Sequence, residues 1–287
     1  MKSVVELTNV NKRINGKDIL CDVNIKLEKG KIYGLVGTNG SGKSTLIKSI
    51  LGLYKTQGNV IINGYNIRKD YKNIIGKVGA IVDYVSFYEY LSAYENLRYF
   101  AYLYEVPFER VKEVMKIVKL DIFDKRAVKF YSLGMKQRLG LAISLLRDPE
   151  ILILDEPMNG LDPIGIQELR DLLLDFRDKT VIISSHLISE IEKFVDEIIF
   201  INNHKVAIKV LDNNTIKKHI KLKVDNYDKL KSVSPVLCEN ETLYMSNEEV
   251  ADLNKELVKN DVKVYRIEED NSLEKTLLSM MGGEKDD

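Results

Sequence analysis

The 287 residues hold 43 Lys and Arg against 43 Asp and Glu with a hydrophobic fraction of 45%, the make-up of an ordinary globular protein with room for one large domain and a small appendage. Zero net charge removes the long-range pull on phosphate polymers that basic binders use, so no nucleic-acid partner is expected. No apolar run approaches the ~18 residues of a membrane span, Met1–Glu6 does not open a secretory signal, and Cys21 and Cys238 are too far apart for metal-type spacing, which predicts a reduced, cytosolic chain.

Short β-branched runs punctuated by Gly and Asn come first: Val4–Leu7, Ile25–Leu27, Lys31–Val36 and Val60–Ile62 are predicted strands. Between the strand ending at Val36 and a helix predicted from near Lys43 lies Gly37-Thr38-Asn39-Gly40-Ser41-Gly42-Lys43-Ser44, which fits G-x-x-x-x-G-K-[ST]. Glycines let successive backbone N–H groups converge on phosphate oxygens, and the helix start adds unpaired donors and a partial positive charge. Lys43 offers a cation to the outer phosphates and the Ser44 hydroxyl a ligand to Mg²⁺. At ordinary Gly content this pattern arises by chance in about one chain of this length in a hundred.

From about 92 to 147 the spacing turns helical, marking a helical subdomain inserted at about 84–148. Residues 84–104 carry seven Tyr and two Phe, and most of these rings are expected to pack that subdomain. Tyr131-Ser132-Leu133-Gly134-Met135-Lys136-Gln137-Arg138 leads into a helix running to about Arg147, with Ser132 as N-cap. Ile151–Leu154 reads as a buried strand with Asp155 and Glu156 at its C-terminal end, where α/β sheets place ligands. Asp155 suits a Mg²⁺ shell, and Glu156 suits a general base worth roughly 10²–10⁴ in rate. Pro157 and Pro163 hold the next segment out of a helix until about Ile164, and Val181–Ile183 and Ile198–Ile201 are further strands. The alternation predicts an α/β protein with a mostly parallel, buried sheet.

After about residue 210 the composition shifts: residues 211–287 hold 12 Lys and Arg and 17 Asp and Glu, net −5, leaving +5 on residues 1–210. Alternation at Lys221–Asp225 and Val262–Ile267 predicts strands. Amphipathic patterns at Asn247–Asn260 and Ser272–Met281, the latter ended by Gly282-Gly283, predict helices. Together they describe a small C-terminal α/β appendage.

The set Gly37–Ser44, Tyr131–Arg138, Ile151–Glu156, Gly160-Leu161-Asp162-Pro163 and Ser185-His186 resembles, in order and spacing, the ATPase cassette of ABC transporters over about residues 3–210. The resemblance implies a P-loop NTPase fold, a mixed β core with an inserted helical subdomain, for residues 1–210, with 211–287 as an accessory domain. It makes Gly37 to Ser44 the Walker A loop, with Thr45 beside it, and Asp155-Glu156 the Walker B pair. Ser132 and Gly134 would bind the γ-phosphate of ATP held by a partner subunit. Asp162 would communicate across that dimer, and His186 would be the switch histidine. Cofactors implied are ATP and Mg²⁺, the latter held by Ser44, Asp83 and Asp155. The partners implied are a second copy or paired cassette and a separate membrane-spanning permease, on the cytoplasmic face of the membrane.

This chain departs from the family pattern at several positions. Ile14 stands where an aromatic residue usually stacks on adenine, Leu133 where the signature usually has Gly, and Met135 where it has Gln. Asp83 stands where most relatives carry Gln; an acid there, usually Glu, marks the branch handling bacitracin and lantibiotic peptides. Ser86-Phe87-Tyr88, Ala93–Leu97 and Ser272-Leu-Glu274 point to the same branch, and Phe87, Tyr88 and Tyr90 are expected to line the groove that receives the membrane subunit's coupling helix. The reading is therefore an ATPase subunit of an exporter of peptide antibiotics or other amphipathic substrates. Its alternatives are a soluble ABC-type ATPase clamping ribosomes or DNA, and a degenerate cassette binding ATP as a scaffold. The single cassette, the lack of a basic excess and the intact Lys43, Asp155, Glu156 and His186 count against both.

Overall fold

Two long strands, β1 (Ser3–Ile14) and β2 (Lys17–Glu28), form the opening hairpin and turn at Asn15-Gly16, both at positive φ, the pair that two-residue hairpins favour. The computed structural model describes residues 3–83, 86–186, 191–210, 218–225, 242–245, 247–260 and 262–270. The chain divides into two units, Met1–Leu187 with Ile191–Lys209, and Ile188–Glu190 with Val210–Asp287.

In the first unit, β4 (Gln57–Ile62) and β5 (Tyr65–Asn66) extend the hairpin into an antiparallel sheet of order β2-β1-β4-β5. A second sheet holds β3 (Ile32–Val36), β6 (Val78–Ile81), β7 (Ile151–Leu154), β8 (Thr180–Ser185), β9 (Glu197–Asn202) and β10 (Lys205–Val210), in the order β10-β9-β3-β8-β7-β6. Its pairs β3–β8, β3–β9, β6–β7 and β7–β8 are parallel. β3, β7 and β8 are buried along their whole length, as expected of strands covered on both faces. Helix α1 (Lys43–Ile50) sends Leu46, Ile47 and Ile50 into one apolar cluster with Val5, Leu27 and Ile62 of the antiparallel sheet and Leu35, Ile153 and Ile199 of the parallel one. A short helix, α2 (Tyr71–Ile74), connects β5 to β6.

Register decides where chemistry can occur. Ile81 pairs with Leu154, Leu154 with Ile183, and Val36 with Ser185. Gly37, Asp83, Asp155 and His186 therefore all leave the sheet at the C-terminal ends of its strands, the ligand-binding edge of such sheets.

Helices α3 (Ala93–Leu103), α4 (Glu109–Ile117) and α5 (Leu133–Leu145), with a 3₁₀ turn at Val128–Phe130, form the helical block between β6 and β7. Ser92 and Glu95 make a reciprocal capping box at the start of α3, worth about 1 kcal/mol. The block's interior is mostly aliphatic: Leu97, Ala101, Val111, Val114, Met115 and Leu139 are all fully buried. This corrects the expectation that the aromatic residues fill it. Ala93, Asn96, Leu97 and Ala101 form the buried stripe of α3, so its rings fall on the other faces. Tyr88, Tyr90, Tyr99 and Tyr102 are exposed, and Phe87, Tyr94, Phe100 and Tyr104 are only half-buried; Tyr84 lies outside the described residues. Helix α6 (Pro163–Leu174) follows β7, with Asp162 as its N-cap.

In the second unit, β11 (Lys218–Val224), β12 (Thr242–Met245) and β13 (Val264–Asp270) pair antiparallel in the order β12-β11-β13. Helix α7 (Asn247–Lys259) supplies Leu253 and Leu257 to a core with Leu222, Val224 and Val262. The helix expected at Ser272–Met281, its Gly282-Gly283 end, and Cys238 lie outside the described residues. Among the described residues no helix is long and apolar enough to cross a membrane.

Candidate functional site

The loop after β3 is shaped by close approach and by φ. A Cβ on Gly37 would lie 2.5 Å from the Ile201 carbonyl oxygen, so even alanine is excluded there. Gly42, at φ 110°, turns the chain into α1 with no side-chain cap, and the first turn of α1 has no acidic residue. The opening N–H groups of the helix are thus left for an anion. Lys43 folds back beneath the loop, its Nζ donating to the carbonyls of Gly37 at 2.8 Å and Thr38 at 3.3 Å. The Ser41 hydroxyl is buried with no hydrogen-bond partner, a cost of about 1–3 kcal/mol that a ligand oxygen would relieve. A buried cation, an orphan hydroxyl and an uncapped helix start fit a polyphosphate.

Across from the loop, the two acids after β7 are fixed by a residue that the sequence reading missed. Ser184, on β8, donates its hydroxyl to Asp155 Oδ1 at 2.5 Å and accepts the backbone N–H of Glu156 at 2.7 Å. The available signal was a hydroxyl interrupting the apolar run of β8 on the strand that neighbours β7. Asp155 is buried. Glu156 sits at φ 48°, a left-handed conformation costing of order 1–3 kcal/mol in a non-Gly residue and concentrated at functional sites. Its Oε1 lies 3.6 Å from Lys43 Nζ and its Oε2 2.9 Å from His186 Nδ1. With Glu156 ionised, Nδ1 carries the proton of the bond, leaving Nε2 of the ring for a ligand. Lys43, Asp155, Glu156, Ser184 and His186 thus form one connected cluster assembled from α1, β7 and β8.

Asp83, also left-handed at φ 57°, does not join that chain of contacts. Its Oδ2 is 2.7 Å from Nζ of Lys48, one turn past Ser44 on α1. The Asp83 carboxylate makes Lys48 hold its proton more tightly, with smaller contributions from the charges of Tyr54 and Asp155. Lys48 was invisible to motif reading because it lies beyond the Walker A pattern. The oxygen donors Ser44, Asp83 and Asp155 suit Mg²⁺, which takes one or two carboxylates together with substrate phosphates rather than a protein cage. Among the described residues no three His, Cys, Asp or Glu side chains gather as a metal-binding group.

The remaining expected residues sit elsewhere. Ser132 accepts the Met135 N–H at 3.3 Å and Asp162 the Gly165 N–H at 2.9 Å, each capping its own helix. The starts of α5 and α6 face one cavity of about 920 Å³, lined by Ser132, Gly134, Gly160 and Asp162. No residue of 37–45, nor Asp155 or Glu156, borders it. Leu133, 45% exposed, lies over Gly160, and Ile164 is 69% exposed beside it. Ile14, partly buried, ends β1 just before the hairpin turn.

Comparison with known proteins identifies the family. The ABC transporter family model matches residues 20–159. The chain is 37% identical over 304 residues to the bacitracin transport ATP-binding protein BcrA of Bacillus licheniformis, covering 99% of each. It is 43% identical over 208 residues to the lantibiotic transport ATP-binding protein SrtF of Streptococcus pyogenes, covering 71% of this chain and 90% of that one. Among solved structures, the ATP-binding cassette MJ0796, a dimer in a post-hydrolysis state bound to ADP and Pi, superposes with a TM-score of 0.64. It is 26% identical, and the match covers 72% of this chain and 99% of that one.

Proposed function

The chain belongs to the family of ABC transporter ATP-binding subunits and is an ATPase homologous to those of bacitracin and lantibiotic transport, and on that premise we propose that Lys43, Asp155, Glu156 and His186 form a half-site that Ser132, Gly134 and Asp162 of a second copy complete. The observation that carries this reading is the cluster in which Glu156 meets both Lys43 and His186.

Residues 37–45 would enclose the triphosphate, and Lys43 would exchange the Gly37 and Thr38 carbonyls for phosphate oxygens. Mg²⁺, held by Ser44, Asp83 and Asp155, would offset the charge of the phosphates. Glu156 takes a proton from the attacking water as the bond from phosphorus to the ADP oxygen breaks, releasing ADP and phosphate. Its strained backbone and the Ser184 bond to its N–H aim the carboxylate before substrate arrives, so little reorganisation remains at the moment of reaction. His186 orients Glu156 through Nδ1–H, and Nε2–H would donate to the γ-phosphate when the imidazole carries both protons.

The phosphate cradle and the Ser132–Asp162 cavity lie on different elements of one copy, so a head-to-tail pair would bury two ATP between them. We assign residues 1–210 to the ATPase domain, with the helical subdomain at about 84–148, and 211–287 to an accessory domain. The membrane-spanning work falls to a separate permease docked on Phe87, Tyr88 and Tyr90 at the cytoplasmic face. The exposed Tyr90 ring, with Lys129 Nζ 4.7 Å from its centre, is the amphipathic kind of surface that interfaces favour. Export of peptide antibiotics or other amphipathic molecules is the cargo reading we favour, supported by relatives named for bacitracin and lantibiotic transport; a ribosome or DNA clamp has no support among them. Glu156→Gln tests the assignment: ATP binding should persist while turnover falls roughly 10²–10⁴-fold. A variant that turns over normally removes the general base.

A further inference from the structure

Lys48 projects from α1 four residues after Ser44, on the same helical face, and its Nζ pairs with Asp83 at 2.7 Å. Asp83 and Asp155 leave adjacent strands: Ile81 pairs with Leu154, and the Asp155 N–H donates to the Ile81 carbonyl at 2.8 Å. Two carboxylates therefore stand at neighbouring positions on the ligand edge of the sheet. Asp155 is satisfied by the Ser184 hydroxyl and meets Lys48 only as a weaker, more distant charge, whereas Asp83 has a full positive charge against it. Lys43 does not serve Asp83, since it points into the loop carbonyls and toward Glu156.

We propose that Lys48 is a built-in competitor of Mg²⁺ for Asp83, setting how much metal the chain needs in order to bind ATP. The inference rests on the metal-site reading above and names a residue that tunes it. An extra carboxylate beside Asp155 adds a full negative charge to a site that must release its metal with each product. A fixed ammonium on the same carboxylate cancels that charge and repels a divalent ion approaching it. Asp83 is 57% exposed and Lys48 20%, so screening keeps the effect within the range of partly exposed ion pairs. Lys48 is a positioning residue: it acts on the metal through Asp83.

The test is calorimetric binding of the non-hydrolysable β,γ-imido analogue of ATP at graded Mg²⁺. Lys48→Met should lower the half-saturating Mg²⁺ about three- to five-fold, the change allowed by an ion pair worth up to about 1 kcal/mol. Lys48→Arg should keep the wild-type value within about two-fold, because the charge is retained. In an Asp83→Asn background, Lys48→Met should have a much smaller effect, since the carboxylate through which it chiefly acts is gone. An unchanged Mg²⁺ requirement in Lys48→Met, or an equal shift with Asp83→Asn present, overturns the proposal. Wild-type binding that ignores Mg²⁺ altogether would sink the metal-site reading and this proposal together, which separates the two failures.

Discussion

The two ends of the catalytic apparatus are built in opposite ways. At the Lys43 end, side chains from α1, β7 and β8 satisfy one another: Ser184 holds Asp155 and the Glu156 N–H, and Glu156 meets Lys43 and His186. These residues rise from strands buried along their whole length, so their positions are fixed by packing. At the Ser132 end, the capping hydroxyl and carboxylate are used on their own helices, the cavity is open, and Leu133 and Ile164 are exposed at its border. Exposed aliphatic side chains beside capped helix starts suit a surface that packs against another protein. On the proposed reading the first end holds the nucleotide and the second meets it from across the pair.

Mutations separate these ends, and their effects fall in order of size. Lys43→Ala should abolish the rise in melting temperature that ATP and Mg²⁺ produce, since it removes the buried cation of the cradle; an undiminished rise would refute the assignment. Glu156→Gln comes next, with turnover reduced as above while the thermal shift remains. Leu133→Asp should leave the thermal shift intact yet weaken ATP-dependent pairing about ten-fold or more in analytical ultracentrifugation, because it places like charges and desolvated carboxylates in the joint. Equal pairing by this variant would remove Leu133 from the interface.

The smallest effect concerns acid stability. Asp148 receives hydrogen bonds from Lys179 at 2.9 Å and Arg110 at 3.2 Å, linking α4 to the segment that leads into β8. Lys179, followed by Arg110, holds its carboxyl below the usual aspartate value of 3.8. The Ser92 bonds lower Glu95 and the Arg126 bonds lower Asp124 in the same direction. A carboxyl lowered by folding adds stability that is complete above its unfolded value and lost as pH falls through its folded one. The melting temperature should therefore fall steeply below about pH 4, with Asp148→Asn slightly flattening that slope. The exposure of Asp148 keeps its share under about 1 kcal/mol. A slope that Asp148→Asn leaves unaltered would argue against the link.

What the sequence made legible was what the local chain carries by itself. Gly37–Ser44 and Asp155-Glu156 could be read because each motif supplies its own turn, strand end and charge. The full length of β1 and β2 could not be read. Polar residues break their alternation, the register shifts several times, and Asn9 and Asp22 take positive φ, so only their apolar fragments looked like strands. Ser184 and Lys48 escaped because their meaning lies in partners 29 and 35 positions away, brought close by strand order and by the packing of α1. The aromatic cluster misled for a related reason. Ring content alone favours burial, but the aliphatic stripe of α3 had already taken the interior.

The most direct measurement is the mass, by gel filtration with light scattering, of Glu156→Gln with ATP and Mg²⁺. The account predicts twice the mass of the chain with two nucleotides retained, reverting to a single chain when Leu133→Asp is added. A nucleotide-loaded species that stays at the mass of one chain would contradict it.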